Sequence, residues 1–134
     1  MVAPFFISYR EIRMENIKRY TEEEAGQRLA AELSQWSVSE GHLCRQYETN
    51  GWRASMLLAN GIAHLAEVAW HHPDLAIGWG SVNVRLRTHD ADAITDKDFD
   101  LAIMIEQTAC WRPTASSSLD GPPSEGQWRY LAGV

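Results

Sequence analysis

The sequence has only two cysteines and two lysines among its 134 residues. Cys44 and Cys110 stand far apart, with no CxxC pair, which excludes a disulfide scaffold and a thiolate zinc site. The expectation is two reduced, partly buried thiols in a cytosolic protein. Basic charge is short as well: twelve Lys plus Arg face eighteen Asp plus Glu, a net charge of −6. The bases are scattered and form no stripe that could track a phosphate backbone. Neither nucleic acid nor a membrane is therefore an expected partner. No apolar run approaches the roughly 20 residues that span a bilayer. Val2–Ile7 is apolar but short, without a basic residue ahead of it or a small-residue cleavage pattern behind it, and does not read as a signal peptide.

What is present is an ordinary globular composition, 45% hydrophobic and 22% charged, at a length suited to one compact domain. Residues 1–20 are irregular in pattern and read as an N-terminal extension. Thr21-Glu22-Glu23-Glu24 is a capping box that opens a helix to about Leu33, with Leu29, Ala30 and Leu33 inward. Trp36–Ser39 and His42–Thr49 read as strands around Glu40-Gly41, with Leu43, Arg45 and Tyr47 on one face. Trp52 to His71 is a long helix with Leu58, Ile62, Leu65 and Ala69 inward, stopped by Pro73. Two alternating runs follow, joined at Gly80-Ser81: Leu75, Ile77 and Trp79, then Val82, Val84, Leu86 and Thr88, with Asn83, Arg85, Arg87 and His89 facing away. Thr95-Asp96-Lys97-Asp98 caps a last helix to about Thr108, with Phe99, Ala102 and Ile105 inward. Pro113 to Gln127, rich in Ser, Pro and Gly, reads as a flexible tail ending in the amphipathic patch Trp128-Arg129-Tyr130-Leu131, whose simplest use is to pack on its own domain. The expectation is an α+β domain over 21–110, a four-stranded antiparallel sheet with three helices on one face, flanked by the extension 1–20 and the tail 111–134.

The residues able to do chemistry gather at Glu67 to Pro73 and at Thr88-His89-Asp90. Glu67 and His71 lie four apart and share a helix face, with His64 further back. If the strand carrying His89 pairs beside the helix end, the imidazoles of His71, His72 and His89 converge. Three histidines and a carboxylate could bind zinc. Adjacent His71 and His72, however, point about 100° apart on a helix and do not fit one ion. Two histidines before a helix-stopping proline also have a bland use as a C-terminal cap.

Glu67 to Asp98 resembles the pterin-4a-carbinolamine dehydratase family: Glu67, His71-His72-Pro73, the aromatic Trp79, then His89 and Asp98 fill its pattern. Leu86-Arg87-Thr88-His89-Asp90 and Ile94-Thr95-Asp96-Lys97-Asp98 resemble two further family segments, and Trp36 matches a tryptophan that follows the first helix. The resemblance covers roughly residues 21–108 and implies the same element order. It implies a cofactor-free, metal-free enzyme that dehydrates 4a-hydroxytetrahydropterin to quinonoid dihydropterin. His71, His72 and His89 would be its acid/base set. Glu67 would orient an imidazole or the pterin, with Pro73, Thr88 and Asp90 beside the ring. Asp98 has a sufficient structural reason to be there as the third residue of a capping box. Two positions depart from the pattern: Ala93 stands where Gly is usual, and Trp70 is bulky where many members have Gly or Asp, both expected at the pocket border.

The run from Asn50 to Trp70 also resembles a bacterial branch found with α-carboxysome components, whose members are thought to help RuBisCO assemble without needing dehydratase activity. The expected functions are therefore the enzyme, a non-catalytic RuBisCO assembly factor, or a pterin-binding relic with neither activity. The family implies a homodimer or dimer of dimers, which would cover open sheet edges. The location expected is cytoplasmic or carboxysome-associated.

Overall fold

The computed structural model describes residues 7–123 and 131. Helix α1 (Tyr9–Glu15) comes first. It corrects the expectation of an irregular start: Ser8 and Glu11 form a reciprocal capping box that supplies a local reason for the helix. Helix α2 (Glu22–Glu32) begins at the predicted Thr21–Glu24 box. Its inward residues are Ala25, Leu29 and the following Leu33, whereas Ala30 is exposed.

Strands β1 (Ser37–Ser39) and β2 (His42–Glu48) pair antiparallel, Ser39 opposite His42. Glu40 and Gly41 between them both have positive φ, 50° and 72°, the backbone of a tight hairpin turn with the twist of its strands. Helix α3 (Trp52–Ala69) follows, then β3 (Asp74–Ile77), β4 (Ser81–Leu86), a 3-10 turn (His89–Ala91) and α4 (Asp96–Cys110). β3 stops at Ile77, so Trp79 sits in the β3–β4 turn and not on a strand face. The sheet order is β1-β2-β4-β3, all neighbours antiparallel. Leu43 and Tyr47 from β2 and Val82, Val84 and Leu86 from β4 line one face. Against it pack Leu29 of α2, Leu58 and Ile62 of α3, and Phe99, Ala102 and Ile105 of α4. Fully burying each large side chain contributes roughly 1.5–3 kcal/mol. On α3 the inward stripe is Ala54, Leu58, Ile62 and Ala66, while Leu65 is half-buried and Ala69 exposed.

One carboxylate interrupts this apolar layer. Glu106 of α4 accepts hydrogen bonds from the Trp36 indole (2.9 Å), the Arg45 guanidinium (3.3 Å), the Cys110 thiol (3.4 Å) and the Tyr47 hydroxyl. Burial alone would raise its pKa, but bonds from Tyr47, Trp36 and Arg45 outweigh burial and hold it below the usual carboxylate range. Burial and the neighbouring charge push the Tyr47 phenol well up, so it remains a donor.

Beyond α4, residues 111–123 contain turns but no helix or strand. Leu131 is buried and bridges to Thr49. The rest of the expected patch, Trp128 to Tyr130, lies outside the described residues. Cys44 and Cys110 are both free and half-buried.

Candidate active site

The end of α3 sets the site. The helix ends two residues earlier than the sequence suggests. Trp70 turns into the left-handed region, φ 51° and ψ 46°. Its N–H reaches Glu67 O at 3.3 Å, and the His71 N–H reaches back to Ala66 O at 3.1 Å. These are the two bonds of a Schellman motif, in which glycine is the usual left-handed residue. An L residue there costs roughly 1–2 kcal/mol. The motif throws His71 off the helix axis, so Glu67 and His71 do not share a face as expected.

His71 instead meets α4. Its Nε2 lies 2.6 Å from Asp98 Oδ1. Asp98 is fully buried, and its Oδ2 accepts from the Thr88 hydroxyl (2.8 Å) and the Thr95 N–H (2.9 Å). A carboxylate only accepts, so His71 donates from Nε2 and its neutral ring keeps the lone pair on Nδ1. The hydroxyl protons are equally determined. Thr88 gives its only hydroxyl hydrogen to Asp98, so Thr95 donates to Thr88 across 2.6 Å, while the Lys97 N–H donates to Thr95 Oγ1 at 3.3 Å. Asp98 is thus both the capping-box residue expected and the orienter of an imidazole. The sequence signal for the second role was its place in the family pattern, outweighed by its adequate structural use.

His72, the next residue, pairs with Glu67 instead, Nε2 to Oε1 2.6 Å, with both side chains about half exposed or more. The Trp70 ring stands edge-on to His72, centroids 5.1 Å apart. Pro73 is half-buried.

The loop 87–95 carries the remaining predicted residues. Arg87 ties it down, donating to Gly41 O (2.8 Å), Asp92 O (2.6 Å) and Asp92 Oδ1 (2.8 Å). The Asp92 carboxyl lies below its ordinary range because of that hydrogen bond. Tyr20 N–H to Ile94 O (2.9 Å) and Arg19 Nε to Ala91 O (3.1 Å) anchor it to the segment before α2. β4 ends at Leu86, so His89 begins the 3-10 turn rather than ending the strand. His89 and Asp90 are exposed, while Thr88 is buried with its hydroxyl committed to Asp98 and Thr95. Ala93 bridges to Thr88.

A cavity of about 560 Å³ opens between the end of α3 (Leu65, Val68, Trp70, His71) and the start of α4 (Lys97, Leu101). Arg13 of α1 also borders it. Its size suits a small organic ligand. Of the three predicted histidines, His71 is the one that lines it; His72 and His89 are not among its walls, nor is Ala93. Among the described residues, no group of three or more His, Cys, Asp or Glu is arranged to hold a metal ion. None of their helices is long and apolar enough to cross a membrane.

Residues 18–108 match the family profile described as pterin 4 alpha carbinolamine dehydratase. A protein of Aquifex aeolicus named for pterin-4-alpha-carbinolamine dehydratase is 35% identical over 91 residues, 68% of this chain and 91% of that one. One of Rickettsia canadensis with the same name is 43% identical over 81 residues, 59% of this chain and 74% of that one. The crystal structure of a transcriptional coactivator/pterin dehydratase from Brucella melitensis superposes with a TM-score of 0.61 at 25% identity, covering 66% of this chain and 96% of that one. With its residues 18–108 inside the profile and an oriented imidazole where the family's histidine pattern falls, the chain belongs to the pterin-4a-carbinolamine dehydratase family.

Proposed function

We propose that the protein dehydrates a 4a-hydroxytetrahydropterin to the quinonoid dihydropterin. The observation that carries this reading is the His71–Asp98 pair, 2.6 Å apart, on a cavity of about 560 Å³. The reaction removes the 4a-hydroxyl as water and the proton from N5, forming a C=N bond. His71, with Nε2 held by Asp98, offers Nδ1 to the N5 proton, and the buried carboxylate stabilises the imidazolium that results. The proton for the departing hydroxyl comes from an imidazole outside the cavity walls, His72 on Glu67 or His89, which reloads from water. Thr88 acts on the site through Asp98, while Pro73 and Asp90 do not line the cavity. No metal or cofactor takes part in these steps.

The test is the decay of 4a-hydroxytetrahydropterin followed by ultraviolet absorption. Purified protein accelerates it, and His72→Ala removes most of the gain, on the order of 10²-fold. No acceleration above buffer by folded protein rejects the enzyme.

A second reading, a non-catalytic assembly factor for RuBisCO at the carboxysome, is favoured by one observation. Trp52, Trp70, Trp79 and Trp111 are 54%, 66%, 72% and 60% exposed, and exposed tryptophans suit a partner surface. Co-expression would then raise the yield of assembled RuBisCO even when His71 and His72 are both alanine; an unchanged yield removes this reading. Either function is compatible with a cytoplasmic homodimer or dimer of dimers that covers the sheet edges at β1 and β3.

A further inference from the structure

Three non-glycine residues among those described have positive φ: Glu40, Trp70 and Asp92. Trp70 is the one with a large aromatic side chain, for which the left-handed region is a true outlier. Packing does not account for it, since the indole is 66% exposed. Glycine would close the same Schellman motif with less strain. A residue that is costly where it stands and gains little from burial points to a use outside stability.

That use is visible in what the indole touches. It lines the cavity that His71 also lines, and it stands edge-on to the His72 ring at 5.1 Å. One residue therefore stands beside His72 and shares the cavity with His71, two of the three imidazoles proposed for acid/base work. Leu65 and Val68 extend the same wall with apolar surface. A flat indole face beside a cavity of about 560 Å³ is a stacking surface for a planar heteroaromatic ring.

We propose that Trp70 is a specificity-determining residue, its indole forming the platform on which the bicyclic pterin ring stacks within reach of His71 and His72. This rests on the dehydratase reading above. Stacking against the flat pyrimidinone half of the substrate selects a pterin over smaller carbinolamines. The strained backbone holds the platform at the helix end without recruiting core residues.

The test compares native protein, Trp70→Gly and Trp70→Phe in two measurements: thermal melting, and calorimetric titration with 7,8-dihydrobiopterin. Trp70→Gly is expected to melt at or a few degrees above native, because the strain is relieved, yet to bind on the order of tenfold more weakly. Trp70→Phe, which keeps an aromatic face, is expected to bind within about threefold of native. In turnover, Trp70→Gly should raise KM far more than it lowers kcat. Native-like binding by Trp70→Gly with dehydration intact overturns the platform and leaves the dehydratase reading standing. A Trp70→Gly protein that melts well below native makes the indole a structural residue and also overturns it. Native protein that neither binds the pterin nor dehydrates its carbinolamine removes the reading and the platform together.

Discussion

Asp98→Asn is expected to slow pterin carbinolamine dehydration by roughly 10²–10⁴-fold while leaving the protein folded. The side chains are nearly isosteric. The amide oxygen can keep the hydrogen bonds from the Thr88 hydroxyl and the Thr95 N–H that Asp98 accepts at 2.8 and 2.9 Å. The amide NH2 then faces His71, where the carboxylate oxygen now sits 2.6 Å from Nε2. A donor there demands a lone pair on Nε2, so the neutral ring's proton moves to Nδ1, the atom that should accept from substrate. The counter-charge for the imidazolium is lost as well. Asp98 is a positioning residue, and its signature is a changed tautomer of His71 in nitrogen NMR together with a fall in kcat at little-changed KM. A rate within threefold of native would sink this account. Asp98→Ala is a different experiment: it strands the Thr88 hydroxyl and the cap of α4, and should lower stability by about 2–4 kcal/mol in urea.

In the sequence, the capping role of Asp98 hides its second one. Thr95-Asp96-Lys97-Asp98 satisfies the capping box by itself, and the structure has that box. Only one carboxylate oxygen is needed for it. The other oxygen, and hence the link to His71, depends on where α3 ends, which is a backbone event. Pro73 shows that the helix must stop, but the left-handed turn at Trp70 has no local signal, because the glycine that normally marks it is absent. The expected Glu67–His71 face therefore became two separate pairs, Glu67 with His72 and Asp98 with His71.

The sheet was far more legible. Val82, Val84, Leu86 and Thr88 alternate inward as their period demands, because a strand's two faces are fixed by pleat alone. α1 was missed although Ser8 and Glu11 spell the same box as Thr21 and Glu24. Its helix has seven residues, and none of those whose burial is described is buried, so periodicity has nothing to report. Arg45 sharing a face with Leu43 and Tyr47 carried an unread message. A cation on the core side of a strand requires an acid opposite, and Glu106 occupies an inward slot of α4, one residue after buried Ile105.

That acid is the basis of the second large effect. Glu106→Gln is expected to lower stability by about 2–4 kcal/mol at pH 7, since it leaves Arg45 without its counter-charge and turns an amide donor toward other donors. Trp36, Arg45, Tyr47 and Cys110 all now donate to that carboxylate. The pH dependence follows from its depressed pKa. The unfolded chain takes up a proton on Glu106 at higher pH than the folded one does. Its contribution to stability is therefore fully present above the ordinary glutamate pKa of roughly 4.3–4.5 and is lost as pH falls through the lower folded value. Native protein should accordingly lose stability steeply below about pH 4.5, and part of that slope should be missing from Glu106→Gln. Urea midpoints of both proteins at pH 7 and pH 3 measure it. The two curves should lie far apart at neutral pH and approach each other in acid. A separation that stays constant from pH 7 to pH 3 would mean that packing around the side chain, rather than its charge, holds α4 to the sheet.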